Sequence, residues 1–195
     1  NKTDGGAIYV RGGGTVNMYS GKITGNTARN GAAVAIADAA GGKAGVFNLY
    51  GGEISGNTTT GNGTMYGYVG AQFNLLGGKV TGNTANHGGA FYFGATMDRV
   101  TLGGDVQLIG NTTPAGKNDD VYLPAGKIIT VGQLQGAKIG VMNDGSAVQI
   151  TDKEAAGFVS NRSSRTVVAK DGALWLADAG DHKHCLCDGK LGGCD

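Results

Sequence analysis

Apolar side chains in this 195-residue chain come in short alternating runs rather than long blocks. "AIYV" (7–10), "TVNMY" (15–19) and "KIT" (22–24) put an apolar residue at every second position, the period of a strand with one buried face. The same runs return as "VFNLYGGEI" (46–54), "QFNLLGGKV" (72–80) and, more loosely, "RVTLGGDV" (99–106). A second phrase sits between them: "ITGNTARNGAAVAI" (23–36), "ISGNTTTGNGTMYG" (54–67), "VTGNTANHGGAFYF" (80–93) and a looser "LIGNTTPAGKNDDVYL" (108–123). Its marker asparagines, Asn26, Asn57, Asn83 and Asn111, are 31, 26 and 28 residues apart. Three short strands in each such repeat, separated by glycines and without helical spacing, predict an all-β right-handed parallel β-helix, a solenoid of about four to five three-strand coils. At the usual strand spacing the stack is on the order of 20–25 Å tall.

In-register stacking converts the repeats into columns. Ile8, Val34, Met65, Phe91 and Val121 form one predicted core column, and Val10, Ile36, Gly67, Phe93 and Leu123 a second. Val16, Phe47, Phe73 and Val100 form a third, with Met18, Leu49, Leu75 and Leu102 beside it. Between these lie outward columns: Asn17, Asn48, Asn74 and Thr101; Lys22, Glu53, Lys79 and Asp105; and Tyr9, Ala35, Tyr66, Tyr92 and Tyr122. The repeats end near residue 142. Residues 143–180 read as a C-terminal β cap with strands at 147–150, 165–170 and 173–178, a "KDG" hairpin turn, and Phe158 and Trp175 covering the last coil. Residues 181–195 form a Cys/His-containing tail that reads as flexible or as a truncated boundary.

Composition narrows the function. Glycine supplies 39 residues and proline only 2, which suits regularly placed turns and excludes collagen or a proline-rich linker. A net charge of +1 with 16% charged residues provides no field for nucleic acid or an anionic membrane. No apolar run is long enough to insert into a bilayer. The start, "NKTDGGAIYV", lacks a basic segment followed by an apolar one and begins inside the repeat pattern, so the chain reads as a monomeric fragment of a longer protein.

Chemistry must come from the columns and the tail. The asparagine ladder Asn26, Asn57, Asn83 and Asn111 reads as structural: stacked amides bond to one another, and asparagine tolerates left-handed backbone at a corner. Glu53 and Asp105 read as rungs of an alternating charge ladder rather than an acid/base pair. The tyrosines Tyr9, Tyr66, Tyr92 and Tyr122 form the main binding candidate, because an outward phenol offers a flat apolar body and a polar tip to a sugar or protein. Ala35 predicts a shallow notch in that stripe. Asp38, Asp98, Asp119 and Asp120 do not share a rung position, Arg11, Arg29 and Arg99 are scattered, and His87 reads as solvated, so no catalytic set is expected. In the tail, His182, His184, Cys185, Cys187 and Cys194 could hold zinc, form a disulfide or stay unstructured. No other cofactor is expected.

The "GNTA" phrase followed by "GGAFY" resembles the GGAI/FxxN β-helix repeats of polymorphic outer-membrane autotransporters. It is more similar to the "GGxISGNTA…GGGVYV" arrays of β-helix surface proteins of Gram-positive gut bacteria, and it departs from the autotransporter pattern in that Ile or Val replaces Phe before Gly-Asn. Residues 120–142 resemble the last coil of such arrays, and residues 172–187 resemble the segment that comes after that coil. The resemblance implies an extracellular or wall-attached bacterial protein that adheres to host or microbial glycan or protein without catalysis. A carbohydrate-active β-helix enzyme, or its remnant, and a structural spacer are the alternatives.

Overall fold

Alternation with an inward apolar residue at every second position can be satisfied on all sides of a coil only if the coils stack strand on strand. The computed structural model shows this arrangement; it describes residues 4–37, 43, 45–94, 96–97, 99–145 and 147–180, and the strands Leu186–Cys187 and Lys190–Leu191. The chain is all-β, a parallel β-solenoid of about five turns. One side of each coil is a tyrosine-bearing strand, running through the stack as Ile8–Val10, Val34–Ile36, Met65–Gly67, Phe91–Tyr92 and Val121–Tyr122. A second, asparagine-bearing side stacks Thr15–Met18, Val46–Leu49, Gln72–Leu75, Arg99–Gly104 and Thr130–Leu134. The third stacks Lys22–Thr24, Glu53–Ser55, Lys79–Thr81 and Gln107–Leu108.

The predicted columns are the observed register. Ile8 pairs with Val34, Val34 with Met65, Met65 with Phe91 and Phe91 with Val121. Val16, Phe47, Phe73 and Val100 pair in the same way on the second side. Phe47, Phe73, Phe91 and Phe93 are fully buried and touch across the core, Phe73 and Phe91 edge-on at 5.0 Å. Burying each of these side chains contributes on the order of 1.5–3 kcal/mol.

One outward column departs from expectation. Lys79 pairs with Gln107, not Asp105, because the fourth coil carries one extra residue between Leu102 and Gln107 relative to the stretch from Leu75 to Lys79 below it. The alternating charge ladder therefore stops at Lys79. Its one close ion pair among the described residues is Lys22 with Glu53, at 3.1 Å, on the surface. The Ser55 hydroxyl, and then Lys22, hold the Glu53 carboxyl below its ordinary range.

The last coil closes the stack by a shortcut. In Lys138–Met142, Lys138 and Ile139 continue the third side after Gln107–Leu108, while Val141 and Met142 continue the tyrosine side after Val121–Tyr122. One strand replaces two sides and the corner between them. Phe158–Ser160 adds a further parallel strand on top, opposite Ile139–Val141. Beyond it Val148–Gln149, Ala173–Asp178 and Arg165–Lys170 form an antiparallel sheet, with Asp171 and Gly172 at positive φ in the hairpin turn. Leu174 and Leu176 reach the core with Phe158. Trp175 lies between those leucines on the opposite face, half-buried under Lys170 and outside the core cluster that Leu174 and Leu176 join.

Candidate functional site

The corner asparagines stack as one hydrogen-bonded column. Nδ2 of Asn26 donates to Oδ1 of Asn57, Asn57 to Asn83 and Asn83 to Asn111, each at 2.9 Å. Each receiving Oδ1 also accepts the backbone N–H of the asparagine below, at 3.0–3.1 Å. The left-handed backbone falls on the preceding glycines, with φ of 70, 62, 63 and 79° at Gly25, Gly56, Gly82 and Gly110; none of these four asparagines has positive φ. The column then takes an unforeseen step. Asn111 donates through Nδ2 and its backbone N–H to Oδ1 of Asp120, whose Oδ2 accepts Nδ2 of Asn161 at 2.7 Å. A carboxylate accepts on both sides, so Asp120 reverses the direction of side-chain donation, while its backbone N–H donates to Oδ1 of Asn161 at 2.9 Å and carries the column into the cap. The Lys138–Met142 shortcut passes over this point at Gly140, where a Cβ would collide with Asp120 and Asn161.

The tyrosine column exists, with a different surface from the expected one. The rings of Tyr66 and Tyr92 stack at 5.9 Å and those of Tyr92 and Tyr122 at 5.1 Å, the second pair within 6° of parallel. Tyr122 meets His87 at 4.8 Å with the rings tilted by 51°, and Tyr68 packs edge-on against Tyr66 at 5.0 Å. Tyr66, Tyr92 and Tyr122 are half-buried, and they present hydroxyl edges because their faces are spent on one another. Tyr9 is half exposed but belongs to a separate rung, and Ala35 between it and Tyr66 has no exposed surface. The turn at Gly31 comes down onto Ala35, so the expected notch is filled.

An aromatic surface that the column pattern did not single out lies on the asparagine side. Tyr19 and Tyr50, just past Met18 and Leu49, are 68% and 44% exposed and stack 8° from parallel at 4.9 Å. Asn17, Asn48 and Asn74 point outward two residues earlier in their strands, linked by amide hydrogen bonds of 2.7 Å. Each donating amide spends one N–H on its neighbour and keeps a second for a ligand. The i, i+2 spacing of Asn17 and Tyr19 carried this signal, because it puts both on one face.

A second unforeseen group surrounds His87, which is not simply solvated. Its Nδ1 is buried, 3.7 Å from Oδ2 of Asp119 and 3.7 Å from Oδ2 of Asp144. Asp119 has no exposed surface; its Oδ1 accepts the Gly88 N–H at 2.9 Å, while its Oδ2 has no hydrogen-bond partner. Burial pushes the Asp119 carboxyl up to about 6, against the opposing pull of the Gly88 bond and His87. Burial likewise raises the Tyr122 phenol, with Asp144 adding to it. Arg162 of the cap pairs with Asp144. The group borders a cleft of about 410 Å³ between the corner at residues 113–118 and the cap loop at 161–164. Asp119 and Asp120 are neighbours in sequence, but only the tertiary structure separates their roles and brings in His87 from the coil below.

Asp38, Asp98, His182, His184, Cys185 and Cys194 lie outside the described residues, and Cys187 is placed only as part of a backbone strand, so the tail ligand set stays an expectation. Among the described residues no group of three or more His, Cys, Asp or Glu side chains is arranged to hold a metal ion. No family model, curated protein or solved structure matches the chain.

Proposed function

We propose that this chain is a non-catalytic binding module of an extracellular or wall-attached bacterial β-helix protein, adhering to glycan or protein on host or microbial surfaces. The observation that carries the reading is the outward face formed by the stacked Tyr19–Tyr50 pair and the Asn17–Asn48–Asn74 amides. Rigid exposed rings beside a row of amides with spare donors match the needs of a sugar or a protein surface, and ordering them costs little further entropy because the stack already holds them. The repeat resemblance supports the same reading.

The test is a glycan-array and serum-protein binding screen of the whole chain, repeated with Tyr19→Ala plus Tyr50→Ala and, separately, Tyr66→Ala plus Tyr92→Ala. The first pair is expected to lose most of the signal, on the order of 2 kcal/mol or more as for an aromatic hot spot. The second is expected to keep it, because those rings present only edges. Binding unchanged by the first pair, or turnover of a polysaccharide by the chain, would overturn the reading.

A further inference from the structure

Among the described residues the lining of the cleft at the cap is mostly polar, with Met142 as its apolar side chain. His87, Lys117, Asn118, Arg162, Ser163 and Ser164 all offer hydrogen-bond donors to it, and among the described residues no acidic side chain lines it. Of the acids of this region Asp119 is fully buried, while Asp144 is exposed at the surface and paired with Arg162. Asp119 and Asp144 flank the buried Nδ1 of His87, so the exposed part of the imidazole is its opposite edge, which borders the cleft. Tyr122 packs on the ring and fixes its plane. Asp144 also orients Arg162, and among the described residues Lys117 pairs with no carboxylate.

We propose that this cleft binds the carboxylate of an acidic sugar, with Lys117 and Arg162 supplying charge and His87 a fixed edge. The inference rests on the binding-module reading and names a ligand class for a second site on the same module. A carboxylate needs donors converging from more than one side, and here they come from a coil turn, a corner loop and the cap. The serine hydroxyls and the Asn118 amide are placed for the ring hydroxyls of the sugar. The buried, unpartnered oxygen of Asp119 is explained in the same way: it faces Nδ1 and acts as a positioning group for the imidazole, out of reach of the ligand. The volume lies in the range of small-molecule sites.

The experiment is a ligand-observed NMR titration of the whole chain with glucuronate, glucose and glucose 6-sulfate at mildly acidic pH and low salt. Glucuronate is expected to bind at least about tenfold more tightly than glucose, a difference of about 1.4 kcal/mol. Glucose 6-sulfate is expected to be weaker than glucuronate; equal or tighter binding would overturn the carboxylate assignment. Lys117→Glu, an exposed substitution with little effect on folding, should reduce glucuronate binding at least about fivefold. His87→Gln should weaken it while leaving glucose unchanged. No glucuronate binding up to about 50 mM, or binding indifferent to Lys117→Glu, would refute the proposal. The Tyr19→Ala plus Tyr50→Ala variant should titrate as the parent does, so failure of the cleft and failure of the tyrosine face are read separately.

Discussion

Replacing Asp119 by asparagine should make the protein more stable at neutral and alkaline pH and leave it nearly unchanged in acid. Asp119 has no exposed surface, and one of its oxygens has no hydrogen-bond partner. Burial raises its carboxyl from the ordinary 3.8 to about 6. A raised folded-state value means that the folded protein holds this proton more tightly than the unfolded chain. Stability is therefore greatest below the unfolded value and falls as pH rises through about 6. A displacement of about two units at about 1.36 kcal/mol each sets a ceiling near 3 kcal/mol for the cost of ionising this group. The substituted amide would keep an oxygen for the Gly88 N–H and place an uncharged group towards His87. Urea unfolding of parent and Asp119→Asn, followed by circular dichroism from about pH 4 to about pH 8, should give curves that meet at the acid end. They should separate towards the alkaline end, with the variant higher by up to about 3 kcal/mol. A pH-independent offset, or a gap that widens towards acid, would refute the argument.

The two amide ladders should respond differently to truncation. Asn83→Ala removes a fully buried amide and strands the polar groups it served on Asn57 and Ile54, so it should cost about 3–5 kcal/mol in chemical denaturation; Asn48→Ala, on the surface, should cost under about 1 kcal/mol. Two corner glycines offer a matched comparison. Gly82→Ala meets no atom within 4 Å and should cost only about 1–2 kcal/mol for left-handed backbone. Gly88→Ala would drive its methyl into the Phe91 backbone and should be several-fold more damaging, with a correspondingly larger fall in Tm.

Most of the coil body was legible because in-register stacking is a repeated constraint. Ile8, Val34, Met65, Phe91 and Val121 occupy equivalent phrases, and a strand of period two can turn those positions only inward. The Asn26–Asn57–Asn83–Asn111 ladder was legible for the same reason. Legibility ends where the phrases change length. Asp105 aligns with Lys79 in the repeated phrase, yet one extra residue between Leu102 and Gln107 brings Gln107 there. Trp175 has the size of a cap residue, but strand alternation turns Leu174 and Leu176 inward instead. The tyrosine column stands where the repeats put it and offers a different surface, because position in a strand does not reveal that neighbouring rings will cover one another's faces.

The sequence by itself determined the solenoid, its inward columns and its corner ladder, since each follows from local alternation repeated at nearly constant spacing. Tertiary structure alone decided the end of the stack and the candidate sites. Asp120 joins Asn111 across 9 residues, and Asn161 joins Asp120 across 41, beneath a strand that skips a corner. His87, Asp119 and Asp144 meet only because a coil turn, a corner loop and the cap converge there. No repeat encodes such contacts. They arise once, where the periodic part of the chain ends and the backbone must close over its own last coil.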